Sequence, residues 1–228
     1  MNELGAKSLD FNPEYSSRAG IAFWGAILAA GAPLVFLMTG TTATLLTPGY
    51  SSLSSPISAL ADPQGPYPRL ISVGFIAYGS MVQGLGLAFY ASSNRQFTKL
   101  TLGALVLLYG IGGIAAGIFV TGQTEIVAFG LSEGDLHGGA AWVTLGAIMS
   151  LMAAGVFVRP LGGDSSKLRK GSLTLLLLTA SAVLAFVLTP EFAFSGLLQR
   201  GFFVTTMVWV FISAIHIAQQ LSQRTVTR

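Results

Sequence analysis

Two histidines, nine carboxylates and no cysteine are what this 228-residue chain offers to acid–base or metal chemistry. His137 stands two residues after Asp135, where a polar stretch gives way to an apolar one. A histidine near a carboxylate suits proton transfer, because imidazole exchanges its proton near neutral pH and a carboxylate can fix its tautomer. Arg200 sits at another such boundary. There an arginine snorkels to the polar layer, pairs with a carboxylate (Asp62, Glu125 or Asp135), or captures an anionic headgroup. A third group lies in Pro48–Asp62, where Ser54, Ser58 and Asp62 interrupt a loop too apolar to be simply solvated. Ser54, Ser58, Asp62, Asp135, His137 and Arg200 are the candidate polar cluster.

Metal sites show two or three ligands at defined spacing; one histidine among scattered acids does not. The absence of cysteine excludes disulfides, thiolate nucleophiles and cysteine-held metals. No metal or cofactor is therefore expected, and no residue is assigned as catalytic. His216 lies at the opposite end of its apolar run and reads as a packing residue, and Gln83, in mid-run, as interhelical hydrogen bonding. The sequence pI near 9.4 points to loops facing anionic lipid headgroups. Without a basic stripe and stacking aromatics on a soluble face, nucleic acid is not an expected partner.

The elements that must position these residues are set by composition. Hydrophobic residues make up 52% of the chain and charged ones 9%, against about 25% charged in soluble domains. Six apolar runs, at about 20–46, 70–91, 100–121, 138–158, 172–189 and 201–221, each approach the ~20 residues a membrane crossing needs. The reading is all-α: one domain over residues 1–228, a polytopic bundle of six transmembrane helices. The first run is too long for a signal-peptide core and is expected to be a retained helix, kinked at Pro33.

Ten of the twelve basic residues fall in the N-terminal tail (Lys7, Arg18), the second-to-third connection (Arg95, Lys99), the fourth-to-fifth (Arg159, Lys167, Arg169, Lys170) and the C-terminal tail (Arg224, Arg228). By the positive-inside rule this places both termini in the cytoplasm and the candidate cluster outside.

Small residues four apart, Gly84 with Ala88, Gly113 with Gly117, and Gly146, Ser150 and Ala154, suit close helix contact. They serve a compact bundle or a homodimer face. In the first outward loop, Ser55 and Pro56 make a good N-cap and N1 pair. They predict a short interfacial helix from Pro56 to Ala61, with Ile57 and Leu60 toward the bundle and Ser58 upward. In the second, Gly122–His137, Asp135 is placed to cap the fourth helix at its positive end.

With those residues in view, the chain resembles a family of small six-span prokaryotic membrane proteins, catalogued as domain of unknown function 998. The resemblance covers nearly the whole chain. It is carried by Pro48-Gly-Tyr-Ser with Ile57-Ser-Ala-Leu60, by Pro66 and the helix start Leu70-Ile-Ser-Val-Gly-Phe, by His137-Gly, and by Gln199-Arg200 with Trp209. It implies the six-span topology in a prokaryotic cytoplasmic membrane and no known substrate. The family tends to have an acid where Ala59 stands and a Phe-Pro-x-Asp turn where this chain has Phe119-Val-Thr-Gly-Gln123. Two carboxylates that would work with His137 are thus missing.

Three functions compete. The first is a non-enzymatic protein that binds membrane lipid or a partner, as an accessory subunit of a larger membrane complex or a homodimer. The second is a lipid- or headgroup-modifying enzyme with His137 as acid–base and Asp62 or Asp135 orienting it. The third is a small-molecule transporter, for which a charge or broken helix at mid-span is the usual sign; only Pro33 offers a break.

Overall fold

In lipid, backbone N–H and C=O groups find no water, so a spanning segment must satisfy them internally as a helix. A computed structural model, describing residues 13–93, 95–157, 166–189 and 193–226, shows the outcome. Six helices carry the apolar runs: α1 (Pro13–Leu46), α2 (Pro68–Ser92), α3 (Gln96–Ile118), α4 (Glu133–Phe157), α5 (Ser166–Leu188) and α6 (Ser195–Val226). All six are long and apolar enough to cross a membrane. Exposed apolar side chains such as Trp24, Met38, Leu107 and Leu184 cover their outer faces, a surface only lipid accommodates.

Several helices begin before their apolar runs. α4 starts at Glu133, five residues ahead of Gly138, and α5 at Ser166, ahead of Ser172. Polar residues at the membrane boundary remain helical where caps or water satisfy them, which apolarity alone does not register. α1 is helical on both sides of Pro33.

Each helix packs on its sequence neighbours, and α1 against α6 closes the ring, with α2 also touching α6. α1–α2 and α2–α3 are the tightest contacts, because glycines let backbones meet. A Cβ on Gly25 would come within 2.8 Å of the Gly84 carbonyl oxygen, and one on Gly79 within 2.4 Å of that of Gly110. The other half of the ring is looser. α5 packs chiefly on α4 and α6, tied to α6 by Thr179–Thr205 at 2.7 Å and Trp209–Ser172 at 2.9 Å. On α4, a Cβ at Gly138, Gly139 or Gly146 would meet nothing within 4 Å. The expected close-contact role of Gly146 is thus not seen within the chain, whereas Gly84 and Gly117 fill theirs. α4 and α6 stand apart, and the space between them matters below.

The connections before α2, α4 and α6 gather at one end of the bundle, here the roofed end. The first contains the expected short helix, a 3-10 helix at Ile57–Ala61. Ile57 and Leu60 are buried as expected. The N-cap position is Pro56 and not Ser55, so no cap side chain serves it, and the Ile57 N–H goes to Gln199. The second forms an unforeseen hairpin, β1 (Ile126–Ala128) and β2 (Leu131–Ser132). Its turn residues Phe129 and Gly130 have φ of 51° and 77°, a pair of left-handed positions normally held by Asn or Gly.

Candidate functional site

The roof is built on α6. Arg200 N–H groups donate to the carbonyls of Ser52 (2.9 Å), Ser55 (3.1 Å) and Gly196 (3.0 Å) and to the Tyr50 hydroxyl (2.6 Å). Burial raises the Tyr50 phenol above its ordinary pKa, although Arg200 pulls the other way. The phenol therefore stays protonated. It accepts from Arg200 while donating toward the Ser55 and Pro56 carbonyls, both at 2.9 Å. Ser195 Oγ donates to the Ser54 carbonyl (2.6 Å), and the Leu197 N–H to that of Leu53 (3.0 Å). Gly196 is required at this crossing, since a Cβ there would lie 2.4 Å from the Ser55 carbonyl oxygen.

Arg200 thus does bind the first loop, but through backbone carbonyls and Tyr50. None of the carboxylates weighed as its partner, Asp62, Glu125 or Asp135, takes part. Ser54 contributes its carbonyl, not its hydroxyl.

His137 is held differently. Its Nδ1 lies 2.9 Å from both the Ala116 and the Phe119 carbonyl oxygens, at the point where α3 ends. Carbonyls only accept, so Nδ1 carries the proton, which in the neutral tautomer puts the lone pair on Nε2. The side chain is 6% exposed and stands edge-on to Phe75 at 6.3 Å.

The carboxylate orienter expected for His137 is absent. Asp135 is exposed; its carboxylate accepts from Ser132 N–H (3.0 Å) and Oγ (2.6 Å), while Ser132 Oγ accepts from Asp135 N–H (3.1 Å). This reciprocal arrangement is a capping box and starts α4. Asp62 is also exposed and accepts from Gln64 N–H at 2.9 Å. Two acids near His137 in sequence, or facing it across a loop, are claimed by local turns.

Beneath the roof lies a cavity of about 240 Å³ in the gap between α4 and α6. Ser58, His137 and Gln199 line its roofed end. Ser58 is 8% exposed and faces this space, so the upward orientation expected for it is not found. Its carbonyl accepts from Thr121 Oγ1 at 3.2 Å, joining the first and second loops. The Gln199 amide oxygen accepts the Ile57 N–H, which leaves its NH₂ group uncommitted.

The walls are aromatic, from Phe36, Phe75, Phe202, Phe203, Phe186 and Trp142. Trp142 is largely exposed on the outside of the bundle, so this wall borders lipid. At the far end, Tyr78 and Tyr109 hydroxyls lie 2.6 Å apart. Either phenol can be the donor of that bond. Thr206, beside them in the cavity lining, gives its Oγ1 proton to the Phe203 carbonyl at 2.8 Å.

Of the six candidates, Ser58 and His137 share the cavity, Ser54 and Arg200 build its roof, and Asp62 and Asp135 belong to neither. Sequence reading passed over Tyr50, Gln199, Tyr78, Tyr109 and Thr206. Tyr78 and Tyr109 did carry a signal: tyrosine belongs at membrane interfaces, and one in mid-span needs a hydrogen-bond partner inside the bundle. Gln83, read as interhelical glue, reaches the Leu107 carbonyl on α3 at 3.4 Å, and His216 meets Gln220 at 2.7 Å.

Among the described residues no three histidine or acidic side chains converge as a metal site would require. What the site offers is hydrogen bonding: an imidazole nitrogen, a hydroxyl and an amide NH₂ at one end of an aromatic-walled chamber. Neither a curated protein nor a solved structure matches the chain. One family model does, that described as Protein of unknown function (DUF998), over residues 18–216. That match spans most of the sequence and all six membrane helices, and the chain is a member of the DUF998 family.

Proposed function

We propose that this protein binds a small lipid-like molecule within the membrane. The observation that carries the reading is the amphipathic cavity: polar groups at the roofed end, aromatic walls, and a side bordering lipid between α4 and α5. Burial of an apolar tail against the aromatic walls supplies affinity, and the few polar groups fix orientation. With the basic-residue count as guide, the termini face the cytoplasm of a prokaryotic cell and the cavity lies in the outer leaflet.

The polar floor favours binding over transport, because the buried, paired phenols of Tyr78 and Tyr109 close the far end of the cavity. Headgroup chemistry with His137 as base draws on the same free Nε2; it is the second reading. A partner subunit or a second copy would find the exposed Gly139, Gly146 and Ser150 on α4. The deciding experiment is mass spectrometry of lipids retained by protein extracted directly into nanodiscs. A stoichiometric single-chain or small-ring lipid is expected, lost when Phe203→Trp fills the cavity. Recovery of bulk membrane lipids alone, identical for both proteins, would overturn the reading, and a chemically altered lipid would move it to the enzyme.

A further inference from the structure

We infer that the molecule held in this cavity carries an uncharged hydroxyl head, an inference that rests on the lipid-binding reading above. Three polar groups face the cavity without a protein partner among the described residues. They are Ser58 Oγ, His137 Nε2 and the Gln199 amide nitrogen. Ser58 and His137 are each more than nine-tenths buried, so their further bonds come from whatever occupies the cavity. A buried polar group left unpaired is costly.

The inventory is specific. Gln199 has two N–H donors, Ser58 has one O–H, and His137 Nε2 is an acceptor because Nδ1 holds the proton. A hydroxyl satisfies both kinds at once, donating to Nε2 and accepting from the amide or from Ser58. An ester or ketone only accepts and leaves Nε2 unpaired. A hydrocarbon satisfies none of the three.

Charge argues the same way. No Lys, Arg, Asp or Glu lines the cavity. The adjacent cation, Arg200, is committed to three carbonyls and Tyr50. A carboxylate or phosphate head would enter an apolar space with no counter-charge and would set its lone pairs against that of Nε2; an ammonium head would find no carboxylate. The tail is limited by size. A cavity of about 240 Å³ suits one short chain or a small ring and not a two-chain phospholipid.

The test uses five probes of equal chain length, 1-decanol, decane, methyl decanoate, decanoate and decylammonium, titrated into the protein in nanodiscs, with partition into empty discs measured separately. The readouts are the melting temperature and the ¹⁵N signal of His137, assigned with His216→Asn. Decanol is expected to bind at least tenfold more tightly than the other four and to move the Nε2 resonance toward a hydrogen-bonded acceptor. His137→Ala should erase the preference for decanol over decane. If that variant fails to fold, Ser58→Ala, which removes only an unpartnered hydroxyl, should reduce the preference. Equal or tighter binding of decanoate, decylammonium or the ester overturns the hydroxyl head and leaves the cavity reading standing. Failure of every probe, decane included, to bind would remove the lipid-binding reading itself.

Discussion

The hydroxyls of Tyr78 and Tyr109 meet at 2.6 Å beside a close backbone approach of α2 to α3, that of Gly79 to Gly110. The two features depend on each other. Each tyrosine precedes one glycine of the pair, so the distance that brings the phenols together is set by the missing Cβ atoms. Gly79→Ala, whose Cβ would lie 2.4 Å from the Gly110 carbonyl oxygen, should destabilise the protein by about 1–3 kcal/mol as overpacking does. Gly146→Ala, with nothing within 4 Å, should leave the melting temperature unchanged or slightly higher. Melting curves of the two variants in one detergent make the comparison; equal losses would contradict it.

The phenols depend on one shared bond. Tyr78→Phe and Tyr109→Phe each leave the other hydroxyl buried without its partner, and each should cost about 1–3 kcal/mol. The double variant should lose less than the sum, since both changes break the same bond. Strict additivity in denaturation would show that the two hydroxyls do not share it.

Arg200 ties the first loop to α6 with four hydrogen bonds. Arg200→Ala should lower stability by several kcal/mol, since bonds to a charged group are worth roughly 1.5–3 kcal/mol each and part of the loss relaxes away. Arg200→Lys should recover little, because an ammonium lacks the planar fork that reaches separate carbonyls. Arg95→Ala, at an exposed helix start, serves as the comparison and should change the melting temperature hardly at all. Amide exchange at residues 50–61 should quicken in Arg200→Ala and not in Arg95→Ala.

The orientation has its own test. A chain without cysteine takes single labels cleanly. Gln64→Cys, in the exposed roof, should react with an impermeant thiol reagent in intact cells, and Ser166→Cys only after lysis. The reverse pattern would turn the molecule over and move the cavity to the inner leaflet.

The helices were legible because lipid demands about 20 apolar residues per crossing, a requirement written directly in composition. The position of Ser58, His137 and Arg200 at one end of the bundle was also legible, as polar groups at apolar boundaries. Their partners were not. Sequence suggests carboxylates for a histidine and an arginine, but here backbone carbonyls do the work, and every residue has one of those. Asp135 does cap α4, as its place at the helix start suggested; as members of the cluster, Asp62 and Asp135 were misread for a related reason, since short acids close to turns are satisfied by nearby N–H groups before any distant side chain reaches them. The hairpin escaped notice because Phe129 holds a left-handed position that usually advertises itself with asparagine or glycine.

The roof also fixes the order in which the molecule can be completed. Its hydrogen bonds join residues 50–57 to residues 195–200, some 140 positions apart. The ribosome makes the first loop early and its fastening last, and chains fold from the N-terminus as they emerge. Until Arg200 has been synthesised and α6 inserted, Tyr50 and the carbonyls of Ser52 and Ser55 wait without their donor. The chamber, walled in part by Phe202 and Phe203 of the same helix, is therefore completed together with its roof, once α6 is in place.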